Sequence, residues 1–346
     1  MGHHKRRPSK IVRKKKRRIR PLRSGPSHVL GSADLGSFDR RLDQLVVEPF
    51  REDPPDVLYH YTTWTGAEGI LTTRQFWATA HDCTNDPAEL TSADSVILEV
   101  ASELETTVEE PARGLIRLLL KNYSRSKVTE IAPVYLACFS EARDQGGQWE
   151  AYADKGRGVC LGVRILDEEI PDPSVVGVSL LRVDYSESSW RQKITTGFKA
   201  VASEVSQLAV RDGSVQYRAR RPALNALYRI AGYAAITAKK PAWSREAEWR
   251  QVAVVRRGAK VQIFERKSAG QTIRYLKLFL RRDERPIVFD EIIIGSNQDV
   301  ALATSRLRAI LANAGYPNDH AELPRIATSC LPWISGGTSP IVTVAD

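Results

Sequence analysis

Three short stretches of this 346-residue chain carry side chains of the types that do chemistry. The first is Val57-Leu58-Tyr59-His60-Tyr61-Thr62, an aromatic and β-branched run that reads as a strand. Alternation puts Val57, Tyr59 and Tyr61 on one face and Leu58, His60 and Thr62 on the other. Ala67, Ile70 and Leu71 then recur at helical spacing, so His60 lies at a strand end just before a helix N-terminus. Free backbone N–H groups and the helix dipole gather ligands at such places; a half-buried histidine that anchors a turn fits the same pattern. The second stretch, Gln148 to Ala153, is a helical turn whose Trp149 and Tyr152 serve either as core or as a wall for a planar ligand. In the third, Lys239 to Val255, the second half reads as a strand with Glu246, Glu248, Arg250 and Val252 on one face. A carboxylate there either acts on a substrate or simply pairs with Arg250 or Arg245. Asp82, Asp86, Glu89, Glu141 and Asp144 offer a further chemistry, a metal-dependent nuclease or phosphohydrolase. Asp86 as N-cap, Pro87 in the first turn and Glu89 closing a capping box already account for that segment, so no metal is expected.

The elements that must hold these groups follow from periodicity. A helix begins near Phe38 (Leu42, Leu45, Val46) and stops at Pro49 and Pro54-Pro55. Short strands are expected at 75–79, 133–140, 159–165, 178–185 and over the second half of 239–255, another after Gly258, and a very apolar one at 287–295. Helices are expected at 92–105, 110–122, over most of 190–238 and at 298–314. No repeat and no phosphate-cradling glycine motif interrupts the series. The expectation is one α+β domain over residues 38–335, a mixed and largely antiparallel sheet with flanking helices. A basic, disordered tail and linker (1–37) precedes it and a short C-terminal tail (336–346) follows.

Charge separates the tail from the body. Residues 1–24 hold twelve Lys or Arg and no acid, leaving 39 basic against 41 acidic residues in the remainder. Lys14, Lys15, Lys16, Arg17 and Arg18 form the densest block, suited to nucleic-acid phosphates. Cys83, Cys138, Cys160 and Cys330 are too widely spaced for a zinc ribbon or a disulfide framework and fit a reducing cytoplasm. No secretory signal and no apolar run of membrane-spanning length is present, so no membrane partner is expected.

Taken together, these landmarks resemble a largely bacterial family catalogued as domain of unknown function 2971. The resemblance rests on Leu58-Tyr59-His60-Tyr61-Thr62 with Gly69-Ile70-Leu71, Phe76-Trp77-Ala78, and Asn85-Asp86-Pro87-x-Glu89. It continues through Cys138-Phe139-Ser140, Trp149-x-x-Tyr152-Ala153 and Lys240-x-x-Trp243-x-x-Glu246-x-Glu248-Trp249-Arg250, to Glu291-Ile292-Ile293-Ile294-Gly295. More distantly, the order of strand histidine, short helix, Ser-bearing strand, aromatic turn and Glu-bearing strand is similar to ADP-ribosyltransferases. That similarity implies an enzyme that cleaves NAD and transfers ADP-ribose to a macromolecular acceptor such as nucleic acid. Carried over, His60 would hold the ribose and nicotinamide, and Tyr61, Thr62, Ser140 and Arg250 would shape the NAD pocket. Tyr152, or else Tyr135, would stack on the nicotinamide, and Glu248, or else Glu246, would be the catalytic acid. A carboxylate beside the ribose suits the oxocarbenium character that develops as the glycosidic bond breaks. Two other classes compete: the metal-dependent hydrolase above, and a non-catalytic module that senses a nucleotide or binds nucleic acid.

Overall fold

The computed structural model describes residues 32–84, 90–164, 175–212, 217–255, 258–268, 270–278, 288–316 and 323–332. The basic block Lys14 to Arg18, and with it Asp86 and Glu89, lies outside them. The described residues open with helix α1 (Ser32–Val47), which starts within the 1–37 span expected to be tail and linker. Strand β1 (Val57–Thr62), helix α2 (Trp64–Thr73) and strand β2 (Phe76–Ala80) follow. Thr63 caps α2 by accepting from the Gly66 N–H, which sets the polar break between strand and helix. Helices α3 (Asp94–Thr107), α4 (Ala112–Ser126) and the single turn α5 (Val128–Ile131) lead to β3 (Val134–Ser140). Next come α6 (Gly146–Tyr152), β4 (Val159–Arg164), β5 (Val175–Arg182), and the long helices α7 (Glu187–Asp212) and α8 (Tyr217–Thr237). Strands β6 (Glu248–Val255), β7 (Phe264–Ser268), β8 (Gln271–Leu278) and β9 (Phe289–Ile294), helix α9 (Val300–Asn313) and β10 (Arg325–Thr328) complete the described chain.

The fold is α+β, with one mixed sheet in which every pairing is antiparallel except that of β9 with β10. Its path runs β10-β9-β4-β1-β3-β2-β8-β7, and β6 pairs with both β3 and β5. One edge of β3 is paired with β6 along its whole length. Its other edge is shared: β1 meets it only at Tyr59–Ser140, and β2 only at Thr79–Leu136 and Ala80–Tyr135. The sheet therefore splits over the middle of β3.

Two large apolar cores lie on either side of this arrangement. One is wholly helical and joins α1, α3, α4, α7 and α8 through residues such as Phe38, Ile97, Leu119, Phe198 and Ile230. The other packs α2 and α9 on the sheet through Leu58, Leu71, Phe139, Leu161, Trp249 and Ile292. A smaller set, Val134, Leu136, Val252 and Ile236, joins the opposite face of the sheet to the helical core. Strand β4 is buried from Val159 to Val163 because both of its faces are covered, which explains its unbroken apolar run. Among the described residues no helix is long and apolar enough to cross a membrane.

Candidate functional site

Beyond α8 the chain runs extended through Lys239 and Lys240, turns through a 3₁₀ segment (Pro241–Glu246), and passes Ala247 at φ 43° before β6 starts. That left-handed residue breaks the alternation, so Glu246 precedes the strand and does not share its face by register, contrary to the period-two expectation. Both carboxylates nevertheless reach the same ammonium. Lys239 Nζ donates to Glu246 Oε2 at 2.5 Å and to Glu248 Oε2 at 2.8 Å. Arg250 donates through Nε to Glu248 Oε1 at 2.9 Å, through Nη2 to Oε2 at 3.3 Å, and through Nη1 to the Ile236 carbonyl at 2.5 Å. Tyr152 OH donates to Glu246 Oε1 at 2.9 Å, and Tyr185 OH accepts from the Glu248 N–H at 3.0 Å.

Two cations and two carboxylates make this a closed, neutral set in low dielectric. Glu248 is 4% exposed and Arg250 fully buried. Burial alone would push the Glu248 carboxyl up, but Arg250 and Lys239 outweigh it and hold the group at about 2. Burial likewise opposes the Lys239 charge, and the two glutamates overcome it, so this ammonium is held above its ordinary range. Glu248 is thus a locked structural ion. Both of its carboxylate oxygens are taken up by Lys239 and Arg250, and this is the environment in which the catalytic assignment places it.

His60 fails to join it for a different reason. Tyr59 pairs with Ser140 and Ser140 with Glu248, so those three share one face of the sheet. His60, one residue along, faces the other side, with ring centroids 5.1 Å from Phe76 and 5.7 Å from Phe139. Its Nδ1 is 2.8 Å from the Cys138 carbonyl. Cys138 lies between the residues of β3 that β1 and β2 pair with, so its carbonyl falls at the split and His60 satisfies it. Burial lowers the imidazole pKa, partly countered by that bond, and since a carbonyl can only accept, the Nδ1–H donates. The expected convergence of His60, Tyr152 and Glu248 on one pocket is not what the structure contains.

The other expected pocket residues are also engaged in structure. Ser140 Oγ donates to the Glu246 carbonyl at 2.6 Å and accepts from the Ala142 N–H at 3.0 Å. Tyr61 packs edge-on against Trp149, donates to the Ala142 carbonyl at 2.7 Å and accepts from the Gln145 N–H at 3.1 Å. Thr62 sits against the first turn of α2, where a side chain at Gly66 would strike its hydroxyl. Tyr135 is buried in the core that packs α2 and α9 on the sheet. What the structure does bring together is Tyr152, Glu246, Glu248 and Arg250, with Ser140 holding the backbone beneath them. At the margin of this group Cys138, paired in register with Arg250, is exposed in mid-strand. Glu246 keeps 13% of its side chain exposed.

Of the acids of the metal-site alternative, the described ones, Asp82, Glu141 and Asp144, each have partners of their own. Asp82 pairs with Arg274, Glu141 accepts from Trp249 Nε1 at 2.8 Å and from Arg182, and Asp144 accepts from Trp149 Nε1 and Ser329. Among the described residues no group of three His, Cys, Asp or Glu could hold a metal ion.

Residues given no chemical role from the sequence form a second ionic cluster. Glu291, 1% exposed, accepts from Arg143 at 2.7 and 2.8 Å, from Arg325 at 2.6 Å and from Tyr59 OH at 3.2 Å. Burial opposes ionisation of its carboxyl, but the arginines hold it below the ordinary range, and Tyr59 is pushed up to about 12, first by burial and then by Glu291. Two adjacent acids, Asp290 and Glu291, within the most apolar strand were the available signal. Lys239 was harder to find, because Lys240 beside it offers the same chemistry and only one of the two turns inward.

Residues 148–251 match the model of a family described as "Protein of unknown function (DUF2971)". No curated protein and no solved structure matches the chain. The matched stretch holds Trp149, Tyr152, Lys239, Glu246, Glu248 and Arg250, and leaves out His60 and Glu291. Over these residues the chain is similar to that family, and the Lys239–Glu246–Glu248–Arg250 set lies inside the similarity.

Proposed function

We propose that the chain is a non-catalytic nucleic-acid-binding module whose basic N-terminal tail contacts phosphates. The observation that carries this reading is that both groups wanted for transferase chemistry are already committed elsewhere. Glu248 is saturated by two cations and His60 is turned to the opposite face. The charge distribution then becomes the chain's dominant feature, with twelve cations in residues 1–24 and none of its 41 acids. Affinity for nucleic acid should fall linearly on a log–log plot against salt, with a slope near −0.9 per phosphate on duplex DNA. The test is fluorescence anisotropy of a labelled duplex with the full chain, at several salt concentrations. Replacing Lys14, Lys15, Lys16, Arg17 and Arg18 by Gln should cut the slope by roughly 4. An unchanged slope would refute the assignment to the tail.

A second reading has one specific observation behind it. Tyr152 and Glu246 are in direct contact beside the exposed Cys138, and Glu246 is the less buried of the two carboxylates. An NAD-cleaving transferase would then use Glu246, two residues from the first assignment, with Tyr152 against the nicotinamide. Nicotinamide release that vanishes in Glu246→Gln would favour this reading over the first.

A further inference from the structure

The β2–β8–β7 wing of the sheet carries an aromatic ladder that neither the ionic clusters nor the tail explains. Trp77 pairs in register with Lys277, and Phe264 with Tyr275, so Trp77, Lys277, Tyr275, Phe264 and Arg266 all lie on one face by alternation. The rings stack across three strands. Trp77 and Tyr275 have centroids 4.9 Å apart at 27°, and Phe264 and Tyr275 5.6 Å apart at 26°. Tyr275 is buried in the middle, whereas Trp77 and Phe264 are half-exposed at the two ends. The indole is also braced from behind, since a side chain at Gly69 would lie 2.6 Å from its ring.

Cations are threaded through the same surface. Arg266 lies 5.8 Å from the Trp77 ring centroid and Lys277 lies 4.4 Å from that of Phe264. Arg266 is exposed, and among the described residues neither cation has an ion-pair partner. By contrast Arg274, on the opposite face of β8, is neutralised by Asp82. Rings braced by backbone, with unneutralised positive charge over their faces, match bases joined by phosphates. An acidic peptide would use the charge and leave the ladder unused.

We infer that this wing is a stacking platform for single-stranded nucleic acid, with bases extending the Trp77–Tyr275–Phe264 ladder and phosphates meeting Arg266 and Lys277. A duplex keeps its bases stacked inside and cannot use the rings, so the platform adds a preference for unpaired strands to the general affinity of the tail. The inference rests on the nucleic-acid reading above, and it can fail separately from it.

The test measures anisotropy of the full-length protein with a fluorescent 12-nucleotide single strand and with the matching duplex. Wild type should favour the single strand. Trp77→Leu and Phe264→Leu should each weaken single-strand binding roughly tenfold and leave duplex binding unchanged. Arg266→Gln and Lys277→Gln, at sites that carry little of the core, should each reduce the single-strand salt slope by roughly 0.7. Equal affinity for both nucleic acids, or unchanged single-strand binding and slope in the Arg266 and Lys277 variants, would overturn the platform while leaving the tail's role intact. Loss of all binding on neutralising the tail alone would also overturn it.

Discussion

Two buried glutamates in this protein have the same inventory of partners and opposite surroundings. Glu248 and Glu291 are 4% and 1% exposed, and each is held by two cations and lies near a tyrosine hydroxyl. Around Glu248 the cations are sealed, with side-chain exposures of 7% for Lys239 and 0% for Arg250, and Glu246 completes the neutrality. Around Glu291 they are not: Arg143 is 39% and Arg325 66% exposed. The difference teaches that composition alone does not make a site. A sealed set can only hold elements together, whereas an open one has solvent as a substitute for any lost partner.

The largest predicted effect follows from that contrast. Glu248→Gln leaves two cations buried with one carboxylate between them, and should cost about 3–5 kcal/mol. Glu291→Gln should cost clearly less, because Arg143 and Arg325 can turn to water. Urea denaturation of both variants checks the order, and a larger loss for Glu291→Gln would break the comparison.

Acid should reveal the same set. A carboxylate whose folded pKa is depressed stabilises the fold above its unfolded pKa and loses that contribution as pH falls toward the folded value. For Glu248 the window runs from its ordinary value of 4.5 down to about 2. Stability measured by urea titration should therefore decline between these limits in wild type, and the Glu248→Gln variant should show a shallower decline. Identical slopes would mean that Glu248 does not carry the acid sensitivity.

A smaller effect is expected at the split of the sheet. His60→Ala removes the partner of the Cys138 carbonyl and should cost about 1–3 kcal/mol. Burial lowers the folded imidazole's pKa below its ordinary 6.5, so the unfolded chain takes up a proton that the folded ring does not, and this loss should be largest near pH 8 and shrink as pH falls toward 6. A cost that grows as pH falls through that range would show that the imidazolium is the stabilising form. The smallest change belongs to Arg325→Ala, where an exposed member of an ion pair is removed and less than about 1 kcal/mol should be lost.

Much of this architecture is legible in the chain. The apolar runs at 133–140 and 287–295 are strands β3 and β9, and the Val57–Thr62 alternation is β1, because burial on one or both faces writes itself into period and composition. The site was less legible, for reasons that are physical. Ala247 adopts a left-handed conformation without the glycine that would announce it, so the break before Glu248 leaves no mark in the sequence. The face of His60 relative to Glu248 depends on the Tyr59–Ser140 and Ser140–Glu248 pairings, which join residues far apart in the chain. The burial of Glu248 depends on Lys239 and on the Ile236 carbonyl at the end of α8. The identity of the chemical groups was readable, and their mutual orientation was not.

The central proposal, that Glu248 and His60 hold the fold and do not act on a substrate, is tested most directly by nicotinamide release. Full-length protein would be incubated with NAD labelled in the nicotinamide, with cell extract supplying acceptors, beside the folded Glu248→Gln, Glu246→Gln and His60→Ala variants. The account predicts background release from all four. Release by wild type that is abolished in His60→Ala or Glu248→Gln, with each variant still folded, would contradict it.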